Sequence, residues 1–297
     1  MVKVFVTGAT GLIGGSVARQ LRRAGHVVYG LVRTEEKARV LAQDDIIPVI
    51  GQLAGLAAHS ALIATCAAVI HAAFDGESFL ETDALVIHTV LNAPFASGQK
   101  PLFVYTSGCL MIPNRDEHSG YVDDFTTPLP HSSQAYRLKN EQVVTSATTV
   151  HGVVLRPGFV FGKGAAHFER WFAQFHKNVP EVVIPAAERQ YSYIHADDLA
   201  EAYQRVVENP KIASGSVYTI GDDSRITHIE FARVFAKAAG YQGKLVASDA
   251  NLWPPMDRSC FVDWRRFGLE FNWHPRHLPI TDEADIYYAG WKARQGL

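Results

Sequence analysis

The 297-residue chain has only three cysteines, Cys66, Cys109 and Cys260. A sparse, odd count supplies no disulfide framework and argues for reduced thiols in a cytoplasmic compartment. No apolar run approaches the ~20 residues that a membrane-spanning helix needs. An excess of one charge sign is also missing: 28 Lys and Arg stand against 30 Asp and Glu, a formal net charge of −2. No basic stripe points to nucleic acid, and no acidic tail points to a charged partner. The 13 histidines form no HxxxH or HExxH set, so their spacing predicts no metal site. Internal repeats and low-complexity segments are absent. The opening segment reads as a strand running into a glycine turn, so it is not expected to be a signal peptide. What is present is ordinary for a globular protein: 47% apolar and 20% charged residues. The length suits one large α/β domain, or one domain with a smaller lobe.

The most informative stretch is Lys3-Val4-Phe5-Val6-Thr7-Gly8-Ala9-Thr10-Gly11-Leu12-Ile13-Gly14. A short apolar run leads into three glycines spaced three apart, and a segment of helical period follows from Val17 to Arg23. Gly8 allows a sharp turn out of the strand. Gly11 keeps no side chain between the backbone and a pyrophosphate. Gly14 lets the helix pack closely on the strand. The amides of Thr10 to Gly14 then open a helix whose dipole favours an anion. A strand before and a helix after are the context that gives this pattern meaning as a dinucleotide site. The alternative is a glycine-rich turn with no ligand.

A second apolar run, Val27 to Val32, ends at Arg33, with Lys37 one helical turn on. At this point an NAD site tends to place an acid on the adenosine ribose. A guanidinium suits a 2′-phosphate and offers no acceptor to a ribose hydroxyl. The pattern therefore predicts NADP, with NAD as the alternative if Arg33 is a solvated loop charge.

Strand and helix patterns alternate beyond Arg33: a helix over Glu35 to Gln43, a strand over Ile46 to Ile50 whose Pro48 suggests an edge, and a helix over Leu56 to Cys66. A strand over Ala68 to Ala73, a helix over Thr82 to Ser97 and a strand over Leu102 to Ser107 follow. Repeated βαβ units imply a doubly wound parallel sheet of Rossmann type, with ligands beyond the carboxyl ends of the strands. Ala72 and Ala73 there could admit adenosine and ribose, or merely pack a helix on a strand. Ser107 could reach a substrate oxygen, or bond its own turn. Residues 109–131 carry loop chemistry and should border the substrate. A helix is expected over Gln134 to Thr148, then a strand over Val150 to Arg156. The aromatics Phe168, Trp171, Phe172 and Phe175 form a stripe at helical spacing. Such a stripe is more often core than ligand box, and would imply an apolar or aromatic substrate if it lined a pocket. Asp197 or Asp198 is expected to cap the helix Leu199 to Val207. A further helix is read over Ile229 to Ala239, and the aromatic segments around Trp253 and from Trp264 to Trp273 are expected to cover the substrate side.

Taken together the motifs resemble the short-chain dehydrogenase/reductase superfamily, in its extended and atypical epimerase-like branch. They are Thr7 to Gly14, Val69 to Ala73, Phe103 to Gly108, Leu155 to Gly162, Tyr193 to Ala200 and Val217 to Gly221, in the family's order along most of the chain. The resemblance implies a nicotinamide dinucleotide lying across the sheet's carboxyl edge, against Ala72, Ala73, Thr106, Pro157 and Phe159 as well as the glycine turn. It implies a dinucleotide-binding domain mainly over 1–162 and a substrate lobe mainly over 163–297, with some segments returning to the first domain. A homodimer follows only by analogy.

One helix departs from the family pattern. The family carries Tyr-x-x-x-Lys, a proton donor and a ribose-binding lysine on one helix face. Here Tyr136 and Lys139 are three apart. They could still act as a pair, since i and i+3 share a face. Alternatively Glu141-Gln142-Val143-Val144 sets the register, which puts Arg137 at the lysine position and Ser133 at the tyrosine position, without helix distortion. The expected activity is NADP-dependent hydride transfer to or from a ketone or secondary alcohol on an apolar small molecule. Ser107 would position the oxygen, and the proton would come from Tyr136, Tyr121 or water. The alternatives are a non-redox isomerase, lyase or cyclase with retained cofactor, and a dinucleotide-sensing protein without turnover.

Overall fold

Strand and helix alternate from the first residues: β1 (Lys3–Thr7), α1 (Leu12–Arg23), β2 (Val27–Val32), α2 (Glu35–Gln43) and β3 (Ile47–Ile50). A 3-10 segment, Leu53–His59, runs into the single turn α3 (Ser60–Ile63), followed by β4 (Ala68–His71), α4 (Phe79–Leu91), β5 (Leu102–Thr106), α5 (Ala135–Thr145) and β6 (His151–Pro157). Next come β7 (Phe159–Phe161), α6 (Glu169–His176), β8 (Glu181–Pro185), β9 (Gln190–Tyr191), β10 (Tyr193–His195), α7 (Ala196–Glu208), α8 (Pro210–Ala213) and β11 (Val217–Ile220). The chain ends with β12 (Ile226–Thr227), α9 (His228–Ala238), β13 (Lys244–Ser248), α10 (Arg265–Phe271) and α11 (Ala284–Gln295). This computed structural model describes residues 1–74, 76, 79–113, 120–165, 169–250 and 258–297.

Seven strands form one parallel sheet in the order β11-β6-β5-β4-β1-β2-β3. The chain winds one way from β1 through β2 to β3, then crosses to β4 and winds the other way. The reversal between β1 and β4 opens a crevice at the carboxyl edge. Both sheet faces are covered, so the strands read as continuous apolar runs. Val4 and Val6 face α1 and α7 in one core, while Phe5 joins Val69, Phe103 and Tyr105 in the core on the other face. Pro48 stands on the edge strand β3, where its missing N–H is tolerated.

A second lobe has its own core, built from β7, β10, α6, α9 and α11. Chain from beyond residue 162 also returns to the sheet. β11 pairs with β6, and Leu199, Ala202, Tyr203 and Val206 of α7 belong to the α1 side of the sheet core.

Several helices differ from the expected spans. The helix read to Ser97 stops at Leu91, because Pro94 cannot continue it and restricts Ala93. The helix read to Thr148 stops at Thr145, where the hydroxyls of Thr145 and Ser146 donate to the carbonyls of Glu141 and Gln142. The segment Leu56 to Cys66 is mostly 3-10 and one α turn rather than one helix.

Candidate functional site

The site begins where β1 ends. Gly8 turns at φ 71°, and a Cβ there would lie 2.6 Å from the Ala72 carbonyl oxygen. A Cβ on Gly14 would collide with the Gly8 carbonyl. The glycines are thus required by backbone packing within the turn, and the Gly11 amide closes it by donating to Gly8 O at 2.8 Å. Gly11 caps α1 without a side-chain bond, and the first turn holds no acid. The start of α1 lines a cavity of about 740 Å³, and the first amides of a helix have no acceptor within the helix itself.

Gly8, Thr10, Gly11, Leu12 and Ile13 line this cavity, and so do Ala72, Ala73, Arg33 and Lys37. Ala72 and Ala73 line this space, and their backbone abuts Gly8 of the turn. Arg33 is exposed and Lys37 half-buried. Thr34 starts α2 between them by accepting from the Lys37 amide at 3.3 Å. Gly14, Thr106, Pro157 and Phe159 lie outside the lining. Gly14 supports the turn from behind. The Thr106 hydroxyl is bonded to Tyr203 Oη at 2.6 Å. Pro157 is buried at the end of β6. Phe159 is buried against the Tyr191 ring, 4.9 Å away. Glu169 and Arg294 line the cavity from the second lobe and were not foreseen. No local motif could have found them, because their place depends on chain far from the glycine turn.

Ser107 follows β5. Its amide donates to Leu155 O at 2.8 Å, and its Oγ is buried with no hydrogen-bond partner among the described residues. A buried hydroxyl left unpaired costs free energy unless a ligand or water meets it. Beside it, Arg137 Nη1 donates to Thr106 O at 3.3 Å, and the guanidinium lies 5.6 Å from the Tyr136 ring and 5.8 Å from the Phe74 ring. Burial acts to lower the Arg137 pKa, but Tyr105, Tyr136 and Asp83 outweigh it and hold the group firmly charged. Burial raises the Tyr136 phenol, with Arg137 opposing it. Lys139 points to solvent, as does Ser133, whose Oγ is bonded to His131 Nδ1 at 2.9 Å.

Beneath these groups runs a buried polar chain that ties the strand ends together. Asp83 accepts from Tyr105 Oη at 2.7 Å and meets His71 Nε2 at 3.1 Å, while His71 Nδ1 meets Thr7 Oγ1 at 2.7 Å. Burial pushes the Asp83 pKa up, but His71 and Tyr105 outweigh it and the net shift is downward. An ionised carboxylate only accepts, so Nε2 carries the hydrogen, and in the neutral ring Nδ1 accepts from Thr7. In α5, Glu141 holds Arg156 in a bidentate pair at 3.0 and 2.6 Å, both side chains being almost fully buried.

Several expectations for the second lobe need correction. The cap of α7 is His195, whose Nδ1 accepts from the Asp197 amide; helix begins at Ala196, so both acids fall inside its first turn. Asp197 pairs with Lys163 at 2.8 Å, and Asp198 accepts from the amides of Arg276 and His277. The aromatic stripe needs no correction: Trp171, Phe172 and Phe175 are core, as the spacing favoured, and share it with Phe231, Phe235 and Trp291. Phe168 of that stripe, part of the 109–131 loop (114–119) and the segment around Trp253 lie outside the described residues. The Tyr121 hydroxyl is committed to Asp223 O at 3.0 Å. Histidine spacing predicted no metal ligands, yet His195, Asp197 and His277 come together, with ligand atoms within 4.8 Å of one another. The two imidazoles are stacked at 3.6 Å and 16°, which keeps their ring nitrogens from converging on one ion, and Lys163 already occupies the carboxylate. Among the described residues no helix is long and apolar enough to cross a membrane.

Known proteins resemble this chain along most of its length. An uncharacterised protein of Saccharomyces cerevisiae is 28% identical, covering 99% of this chain and 95% of its own. A dTDP-4-dehydro-6-deoxy-D-allose reductase of Streptomyces bikiniensis is 25% identical over 93% of this chain and 92% of its own. The crystal structure of a Bacillus anthracis dTDP-glucose 4,6-dehydratase in complex with NAD has the same fold, with a TM-score of 0.83, 14% identity and coverage of 100% and 98%. The model of the NAD dependent epimerase/dehydratase family matches residues 4–221, and the chain belongs to that family, within the extended short-chain dehydrogenase/reductases.

Proposed function

We propose that this protein is an NADP-dependent oxidoreductase that passes a hydride between the nicotinamide and a ketone or secondary alcohol. The observation that carries the reading is the cavity itself, which has on its wall a helix start without a side-chain cap, Arg33 just after β2 and Lys37 in the first turn of α2. The glycines let the turn close tightly against Ala72 beside the cavity, and two cations suit a 2′-phosphate. The dinucleotide would supply or take the hydride.

The chain's own residues would do the rest. Ser107 Oγ, buried and unpaired among the described residues, would donate to the substrate oxygen and fix its direction. Arg137, rather than Lys139, serves as the fixed cation beside the nicotinamide ribose, since Lys139 is solvated. Arginine stays charged and relays no proton. Tyr136, whose phenol burial keeps protonated at neutral pH, is the donor, or water takes that role. The second lobe, mainly residues 163–297, would hold the substrate. With Trp171, Phe172 and Phe175 in the core, the stripe lends no support to an apolar substrate. The reductase and dehydratase names among the similar proteins support a carbonyl on a nucleotide-linked sugar.

Calorimetric titration with NADPH, NADP and NADH tests the reading, together with Arg33→Ala. The expected result is a preference of about 10-fold or more for the phosphorylated forms, lost in the variant. Equal binding of NADH would remove the role of Arg33, and no binding of any form would remove the redox reading. The exposed Lys139 favours a second reading, a non-redox isomerase or lyase that retains the dinucleotide. It predicts tight binding with no net NADPH consumption on any carbonyl substrate.

A further inference from the structure

Three cations line the cavity among the described residues: Arg33, Lys37 and Arg294. The first two follow β2. The third comes from the last turn of α11, near the end of the chain. A backbone contact delivers it. Gly164, at φ 73° in the turn after β7, is so close to α11 that a Cβ on it would lie 2.5 Å from Gly290 O and 3.3 Å from Arg294 Cβ. Gly290 and Arg294 are four apart and share a helix face. The helix therefore lies against the turn that carries Ala165, another lining residue, and sends its guanidinium into the cavity.

There Arg294 pairs with Glu169 at the start of α6, which is the one carboxylate in the described lining. The two side chains are 45% and 29% exposed, so the pair adds little to stability and can be exchanged at small cost. A diphosphate brings two negative charges to the glycine turn, and the turn offers amide donors but no cation. On the dinucleotide reading above, Arg33 and Lys37 serve the ribose end.

We propose that Arg294 binds the diphosphate of the dinucleotide and that Glu169, its ion-pair partner, yields it to the diphosphate, so cofactor loading exchanges one anion for another. The C-terminal helix then takes part in holding the cofactor. This rests on the dinucleotide reading above. The diphosphate is common to NADPH and NADH, whereas the 2′-phosphate is not, so Arg294 and Arg33 should have different signatures.

Titrating NADPH and NADH into the wild-type chain, Arg294→Gln, Arg294→Lys and Glu169→Gln separates the outcomes. Arg294→Gln should weaken both ligands by about 10-fold, and Arg294→Lys should recover part of the loss. Glu169→Gln removes the competing anion and should tighten both by about 3-fold. That tightening also tests the proposal if Arg294→Gln fails to fold. Unchanged binding by Arg294→Gln would overturn it, and so would a loss confined to NADPH. Weakening by Glu169→Gln would mean that the pair only clamps the helix. If the wild-type chain binds neither ligand, this proposal and the dinucleotide reading fall together. If it binds both and Arg294→Gln binds as well, only the role of Arg294 falls.

Discussion

The glycine turn after β1 and the helix α5 stand at the same edge of one sheet, and different constraints shape them. In the turn, backbone packing dictates the residues. Gly8 has a positive φ and presses on Ala72, and Gly14 has no room for a Cβ beside Gly8. In α5, side-chain packing decides which residues face inward. Arg137 lies under Thr106 while Lys139 faces solvent. A site made by the backbone tolerates little change, whereas one made by side chains can be re-equipped on an unchanged scaffold. The scaffold of α5 is itself held by a buried charge pair, Glu141 with Arg156, which anchors the helix to β6.

The comparison can be broken first at that anchor. Glu141→Ala leaves the Arg156 guanidinium buried without its counter-charge. A loss of about 3–5 kcal/mol is expected, read as a fall in denaturant midpoint, and a loss under about 1 kcal/mol would show that water or a rearranged neighbour compensates. Gly14→Val attacks the other region. Overpacking of this kind costs about 1–3 kcal/mol, and the displaced turn should weaken dinucleotide binding by about 10- to 100-fold. Wild-type affinity in this variant would show that the turn does not touch the ligand. The smallest effect is expected for Lys139→Ala, which should leave stability within about 0.5 kcal/mol and cofactor affinity unchanged. A clear loss of turnover in that variant would restore the Tyr136 and Lys139 pair as the working register.

How much of this was legible depended on how far apart the interacting residues lie. The βαβ order, the glycine turn and Arg33 could be read because the physics is local: a strand, a tight turn and a helix start are neighbours in the chain. The stripe Trp171, Phe172 and Phe175 could be read as a buried helix face, though not as part of a second core shared with α9 and α11. Local rules went wrong at α7. Two aspartates before an apolar run look like caps, but His195 caps that helix and Asp198 is drawn to the amides of Arg276 and His277. The cluster of His195, Asp197 and His277 escaped a spacing argument for the same reason, since its members meet across the fold.

The sequence alone thus settled the doubly wound sheet, the anion-ready helix start and the small residues at the end of β4, since periodicity and backbone sterics act within a few residues. Folding in three dimensions chose between Lys139 and Arg137 for the inner face of α5. It left Ser107 Oγ buried and unpaired among the described residues, and brought Arg294 from the last helix to a cavity opened by the first residues. Those outcomes depend on which distant surfaces pack together, and packing at close range is set by the whole core at once.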